Sequence, residues 1–412
     1  MASTSIKMVA RGSCQFCLNA CEILTKRAAV VHMRRTMASS STRTAPSQKA
    51  ETSQLVTTIE EARRFMVDCF KAAGTPQEHA ETVTDNLLEA DYRGHYSHGM
   101  NRLEMYIRDI QGGVCDPKAT CTLDKETVAT ALVNGNNGLG AVVGKYCMDL
   151  AIAKAKDAGI AMVVAHGSNH YGIAGIYSIQ AINHGLLGMS FTNTSPFMAP
   201  TRATQAALGT NPLSLGAPAL NGDSFVLDMA TTAVAVGKIE LARRKGTPIP
   251  EGWALNHEGK VETDPDVAYK AAKLMPVGGT EINSGYKGYG LGMLVEIFCG
   301  ILSGAKYGPF VRKWGAHSEV ADLGQAFIAI NPKAFADGFE DRMSDLMDYL
   351  RNMEPFDPNK PVLVHGDPEK IHMEKVKKDG GFLYVQNQHD TNAKLAEELK
   401  VTPMVSKNPF IL

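Results

Sequence analysis

The chain has 412 residues, 44% of them hydrophobic, with 38 glycines, which is enough for two or three packed domains and too apolar for global disorder. Its 42 Lys and Arg against 43 Asp and Glu leave a formal charge of −1, so no whole-chain field favours nucleic acid or an anionic membrane, and neither is expected as a partner. The most apolar run, Leu291 to Leu302, is broken by Gly292, Glu296 and Gly300 and falls short of the roughly 18 residues that a spanning helix needs.

Residues 1–50 carry Lys7, Arg11, Lys26, Arg27, Arg34, Arg35, Arg43 and Lys49 against the single acid Glu22, with a Ser/Thr run at 39–42. That composition reads as a targeting presequence for mitochondria, with a cytoplasmic location as the alternative. Cys14, Cys17 and Cys21 lie in this segment with no fourth ligand nearby, so no metal site is expected. The other cysteines, Cys69, Cys115, Cys121, Cys147 and Cys299, form an odd, scattered set that reads as reduced thiols.

Residues 54–125 read as a helical unit. Thr57 to Glu60 is a candidate capping box, followed by the stripe Ile59, Ala62, Phe65, Met66, Cys69 and Phe70. Thr75-Pro76-Gln77-Glu78 is a second box with Pro at the first helical position, and the stripe Ala80, Val83, Leu87, Ala90 should end at Gly94. A third helix carries Met100, Leu103, Ile107 and Ile110, while His98, Arg102 and Tyr106 are spaced to line its other face. Arg93 to Arg102 thus gathers an acid/base, a hydroxyl and a carboxylate-pairing fork between two helices; a solvated surface helix would show the same spacing.

Residues 126–284 change to short β-rich runs, Val128 to Val133, Ile160 to Ala165, Leu187 to Thr192 and Phe225 to Leu227, separated by helical stretches at 140–158 and 174–184. The class is therefore α/β or α+β, a sheet with covering helices. Residues 285–412 read as mostly helical and are expected to pack with the N-terminal unit: a long helix to about Ser303, a strand at Ala326 to Ile330, a helix at 333–353 and a last helix ending near Leu399. Gly138-Leu139-Gly140-Ala141-Val142-Val143-Gly144 is one residue too long for a dinucleotide fingerprint and has no acid-tipped strand behind it. Lys287-Gly288-Tyr289-Gly290 opens a helix in a way that suits phosphate. His166 to Gly172 and Thr192 to Pro196 follow strands, where α/β proteins build sites; the His166 and His170 pair lies in a loop and offers no convergent metal geometry.

Arg93 to Gly99 with Arg102, Gly167 to Gly172, Leu208 to Pro218, Leu227 to Thr231, Pro250 to Trp253, Gly278-Gly279 and Lys287 to Gly290 occur in the order of a known family. From about residue 55 to its end the chain resembles the type-2 malate/L-lactate dehydrogenases, which are non-Rossmann NAD(P)-dependent oxidoreductases. The resemblance implies a dinucleotide domain built on an unusual sheet. It also implies hydride transfer between a nicotinamide and a 2-hydroxy/2-oxo acid pair, with malate/oxaloacetate expected. The alternatives are reduction of another 2-oxo acid or of a cyclic imino acid, and an inactive enzyme-derived binding protein. NAD is expected, with NADP possible, as is a homodimer whose sites are completed across the subunit interface.

On this reading His98 is the acid/base, Ser97 its hydrogen-bonded neighbour, and His170 its competitor for the proton. Asp228 is expected to support one of the histidines, Arg102 to clamp the substrate carboxylate with Tyr106 on the same face, and His95 and Arg93 to shape the turn. The family implies that His170, Tyr171, Gly172, Asn193, Thr194, Asp228, Met229, Ala230, Gly278, Gly279 and Lys287 border the nucleotide. Three departures stand out: Tyr286 where relatives often have His, Thr232 for a frequent Ser, and Val364 to Glu369, a change that would alter a loop near the cofactor.

Overall fold

The computed structural model describes residues 55–407; the expected presequence and the Cys14, Cys17 and Cys21 cluster lie outside them. Strand β1 (Leu55–Thr57) leads into α1 (Ile59–Ala72), capped by Thr58, whose hydroxyl accepts from the Glu61 N–H at 3.2 Å. The cap falls one residue later than the Thr57 box predicts, because the Thr57 hydroxyl is bonded to Ser406 at 2.6 Å. Helix α2 (Gln77–Tyr92) has Pro76 at its cap position and no side-chain cap bond. The predicted box fails there: the Thr75 N–H closes the end of α1 on Phe70 O, and the Thr75 hydroxyl is buried without a partner.

Residues Met100–Arg102 form a 3₁₀ turn before α3 (Leu103–Gln111). Phe65, Phe70, Leu87, Leu103 and Ile107 from these helices share a core with Val376 of α10 (Asp367–Asp379), Phe382 and Tyr384 of β12 (Phe382–Tyr384), and Leu395 of α11 (Gln386–Leu399). Strand β12 pairs antiparallel with β1, setting Leu55 opposite Tyr384.

Seven strands form the main sheet: β2 (Thr122–Glu126), β3 (Thr130–Asn134), β4 (Ile160–Ser168), β5 (Leu187–Thr192), β6 (Leu213–Pro218), β7 (Ser224–Met229) and β11 (Leu323–Ile330). Their spatial order is β2-β3-β4-β11-β5-β6-β7, and only the β3–β4 pair is parallel. The middle strand thus comes from the last third of the chain. Alternation along β4 explains the two layers. Ala161, Val163 and Ala165 face α4 (Gly140–Ala158) and α5 (Gly175–Ile182), whereas Val164 meets Val295 and Cys299 from α8 (Gly285–Glu296) and the π-helical turn after it (Ile297–Ile301). A Cβ on Gly140 would lie 2.2 Å from Asn169 O, and one on Gly144 would lie 2.6 Å from the Tyr177 ring, so the glycine run at 138–144 serves close packing.

A small three-stranded sheet holds β8 (Ala254–Leu255), β9 (Val261–Glu262) and β10 (Lys273–Leu274), beside α6 (Val236–Lys245) and α7 (Pro265–Ala271). Helix α9 (Phe339–Arg351) is shorter than predicted because a 3₁₀ turn at Pro332–Ala334 precedes it. The five described cysteines are free thiols.

Candidate active site

The turn between α2 and α3 is fixed from both ends. Gly94 has φ +86°, and a Cβ on it would touch the His372 ring of α10 at 3.0 Å. Gly99 lies against Asp91, where a Cβ would fall 1.9 Å from Oδ1. Asp91 is fully buried; its Oδ2 accepts the Met100 N–H at 2.9 Å and the Tyr384 hydroxyl at 2.6 Å. Burial pushes this carboxyl up to about 7, so an acid partly protonated at neutral pH ties the C-terminal strand to the start of the 3₁₀ turn. His95 and Arg93 face Glu369 and Glu89 at 3.5 and 2.7 Å and hold the turn from outside.

Ser97 and His98 project from this turn rather than from α3, so His98 does not share a helical face with Arg102 and Tyr106; the three are gathered by His170 instead. The Ser97 hydroxyl lies 2.8 Å from His98 Nδ1. The His98 and His170 rings stack with centroids 5.6 Å apart and planes 25° apart. The Tyr106 hydroxyl is 2.6 Å from His170 Nδ1, which also accepts the Gly172 N–H at 3.4 Å. With Nδ1 as acceptor, neutral His170 carries its proton on Nε2. Desolvation, reinforced by Arg102 and the neighbouring histidine His95, lowers His98 to about 3. Desolvation, then His98 and Arg102, likewise holds His170 well below the usual imidazole range. Two neutral imidazoles therefore stand face to face at neutral pH.

Arg102 is mostly buried, and its Nε has no hydrogen-bond partner among the described residues. Burial lowers its pKa, opposed by Tyr106 and by Glu240 on α6. Its guanidinium lies over the Trp314 ring, 5.2 Å from the centroid, and Trp314 meets the His170 ring edge-on at 5.5 Å. One helical face of α3 continues to buried Asp109, whose carboxylate takes Arg312 at 2.6 Å and His317 Nδ1 at 2.6 Å. His170, Thr194, Ser195, Arg312, Trp314 and His317 line a cavity beside this cluster. Trp314, Asp109, Glu240 and the start of α6 went unread in the sequence. Trp314 lies in a segment without periodicity, and only the fold brings it to Arg102.

Asp228 departs from expectation: its Oδ2 accepts the Gly175 N–H at 2.7 Å, and it hydrogen-bonds neither His98 nor His170 among the described contacts. Burial raises its pKa, countered by that bond, with His95, Arg93 and Glu369 as its charged neighbours. The buried Tyr171 side chain bonds Ser190 at 2.9 Å, and the Asn193 amide is fully engaged by Glu296 at 2.9 Å, Lys306 O at 2.8 Å and the Gly324 N–H at 2.9 Å.

The profile of the malate/L-lactate dehydrogenases matches residues 57–390. The chain belongs to that family. It is 39% identical over 323 residues to the malate dehydrogenase of Pyrococcus abyssi, covering 78% of this chain and 88% of that one. It is 38% identical over 342 residues to the L-sulfolactate dehydrogenase of Methanocaldococcus jannaschii, covering 82% and 96%. Among solved structures, malate dehydrogenase from Entamoeba histolytica superposes with a TM-score of 0.81 at 32% identity, covering 85% of this chain and 99% of that one. The dehydrogenase is thus an oxidoreductase acting on the CH–OH group of hydroxy acids, and its family implies a nicotinamide dinucleotide.

The residues of the dehydrogenase suit such a group. Hydrogen bonds from Val277 N to Thr231 O and from Ala233 N to Met275 O join the end of β7, with Asp228, Met229 and Ala230, to the turn at Gly278 and Gly279. Both glycines have positive φ, +93° and +70°, and a Cβ on Gly279 would strike Gly252 at 2.9 Å. Gly285 packs on the same turn, so the first turn of α8 brings Lys287 beside it. Lys287 is exposed and makes no ion pair among the described residues, a cation at a helix start that matches a diphosphate.

Proposed function

We propose that the chain interconverts malate and oxaloacetate with NAD. The observation that carries this reading is the mostly buried Arg102, a guanidinium with no acidic hydrogen-bond partner among the described residues, beside two stacked neutral imidazoles. Its fork offers two parallel N–H donors to a substrate carboxylate, which would hold C2 against the histidines. A nicotinamide held by the strand-end and turn residues named below would supply the hydride acceptor for C2. His98 then takes the hydroxyl proton at Nε2, while Ser97 bonded to Nδ1 orients the ring. The Nε2–H of His170, fixed by Tyr106, donates to the oxygen as it becomes a carbonyl. Bound carboxylate neutralises Arg102 and so relieves one of the influences that depress His98. Thr194, Met229, Ala230, Gly278, Gly279 and Lys287 are proposed to border the dinucleotide, the first on the cavity wall and the others along the strand end and turn described above.

Absorbance at 340 nm, followed with NAD and NADP over malate, lactate, sulfolactate and ureidoglycolate and in reverse over their oxo acids and a cyclic imine, tests this reading. Malate with NAD is expected to give the highest kcat/KM; no reaction with any member would remove it, and a faster cyclic imine would replace it.

We further propose a mitochondrial homodimer. The basic, acid-poor first fifty residues support the location. Exposed Met293, Leu294, Ile297 and Ile301 along α8 and the π turn, with Phe310 at 65% exposure, support the dimer. Native protein beginning at its first residue, or a fully active monomer by light scattering, would contradict these two proposals in turn.

A further inference from the structure

We infer that Trp314 is the positioning residue of Arg102: it holds the guanidinium in place while leaving its terminal N–H donors unclaimed for a substrate carboxylate. The inference rests on the reading of Arg102 as carboxylate clamp. A buried guanidinium needs a stabilising neighbour. An aspartate or glutamate in that place would take the same in-plane donors that the substrate requires, and would have to be displaced at each turnover. An aromatic face attracts the cation from above its plane and uses none of the five donors. Arg102 shows this arrangement. Its side chain makes no hydrogen bond among the described residues, its Nε is buried and unpartnered, and its carbon Cζ lies over the Trp314 ring.

The tryptophan is itself held. Arg312 and His317, two residues before it and three after, both grip Asp109, and Arg312 also donates to Ala316 O at 3.2 Å and Glu319 O at 2.8 Å. Asp109 lies on α3, directly after Arg102 in the chain, so the clamp fastens the loop to the helix that carries its target. The same indole meets His170 edge-on, which sets the carboxylate anchor and one of the two imidazoles against a single rigid plate.

Three variants separate stacking from packing. In Trp314→Leu the apolar contact is kept without the π face, and KM for malate is expected to rise about tenfold, equal to about 1.4 kcal/mol, with the dinucleotide KM within about twofold. Trp314→Phe keeps a π face and is expected to recover most of that loss. Trp314→Ala should match or exceed the effect of Leu. The inference is overturned if Leu and Phe behave alike, or if the dinucleotide KM rises in step with that for malate. A second measurement does not depend on turnover. Tryptophan emission of the wild-type chain, titrated with the unreactive 2-oxo-acid analogue oxamate, is expected to shift saturably. The shift should survive Trp253→Phe, the substitution of the only other tryptophan; loss of the shift in that variant, or none in the wild type, would also overturn the inference. A wild type inert toward every hydroxy acid but responsive to oxamate would instead sink the functional reading and leave the Arg102–Trp314 pair standing.

Discussion

Replacing His98 with alanine is expected to lower kcat/KM for hydroxy-acid oxidation by roughly a hundred- to ten-thousandfold, the span over which a positioned general base acts. Dinucleotide affinity should stay within about twofold, since the ring stacks on His170 and not on the Gly278–Gly279 turn. A variant retaining more than about a tenth of the wild-type kcat/KM would take the proton from His98 and leave His170 as the candidate.

The pH behaviour follows from burial. Oxidation needs the neutral imidazole, and with His98 lowered to about 3 the neutral form prevails throughout pH 5–8. Activity should therefore show no histidine-like loss centred near pH 6.5, and a one-proton inflection there would contradict the assignment. For stability, both imidazoles bind protons less readily folded than unfolded. Their penalty is absent above about pH 6.5, the unfolded value, and grows as pH falls toward 3. Asp91 acts in the opposite sense, because its raised value favours the folded state at acid pH and loses that advantage as pH rises through about 7.

Glu296→Ala is expected to be the most damaging change far from the reacting atoms. This carboxylate, on the last residue of α8, is buried and accepts Asn193 Nδ2 at 2.9 Å, Asn211 Nδ2 at 2.7 Å and the Gly308 N–H at 2.8 Å. Alanine strands the Gly308 N–H and one N–H of each asparagine amide, whose other N–H stays on Lys306 O or Gly292 O; at about 1–3 kcal/mol each, a loss of roughly 3–5 kcal/mol is expected after partial relaxation. For a chain of this size that corresponds to a melting temperature lower by roughly 5–10 °C, readable by calorimetry. A drop of under about 2 °C would mean that water replaces the carboxylate and that the hub is dispensable.

The same residue shows where the sequence is silent. In the run Leu291 to Leu302, Glu296 registers only as an interruption of apolar character; its partners Asn193, Asn211 and Gly308 come from distant segments that only the sheet brings together. The histidine turn was legible because its parts are local. Stripes of apolar residues define α2 and α3 on either side, and Gly94 and Gly99 sit where a side chain would collide with His372 or Asp91. Caps are legible only to within a residue or two, since a tertiary bond to Ser406 claims the Thr57 hydroxyl and the closing turn of α1 claims the Thr75 N–H. The Trp314 loop left no periodic trace at all, because a loop held by one buried aspartate needs no amphipathic pattern. The resemblance places Asp228 with the histidines, whereas its carboxylate accepts the first N–H of α5.

Strand β11 sits between β4 and β5, yet is made long after both. A nascent chain emerging from the ribosome therefore holds two unpaired strand edges until residues 323–330 arrive, and exposed edges invite pairing with other chains. The main sheet can therefore close only once the chain has been made to about residue 330.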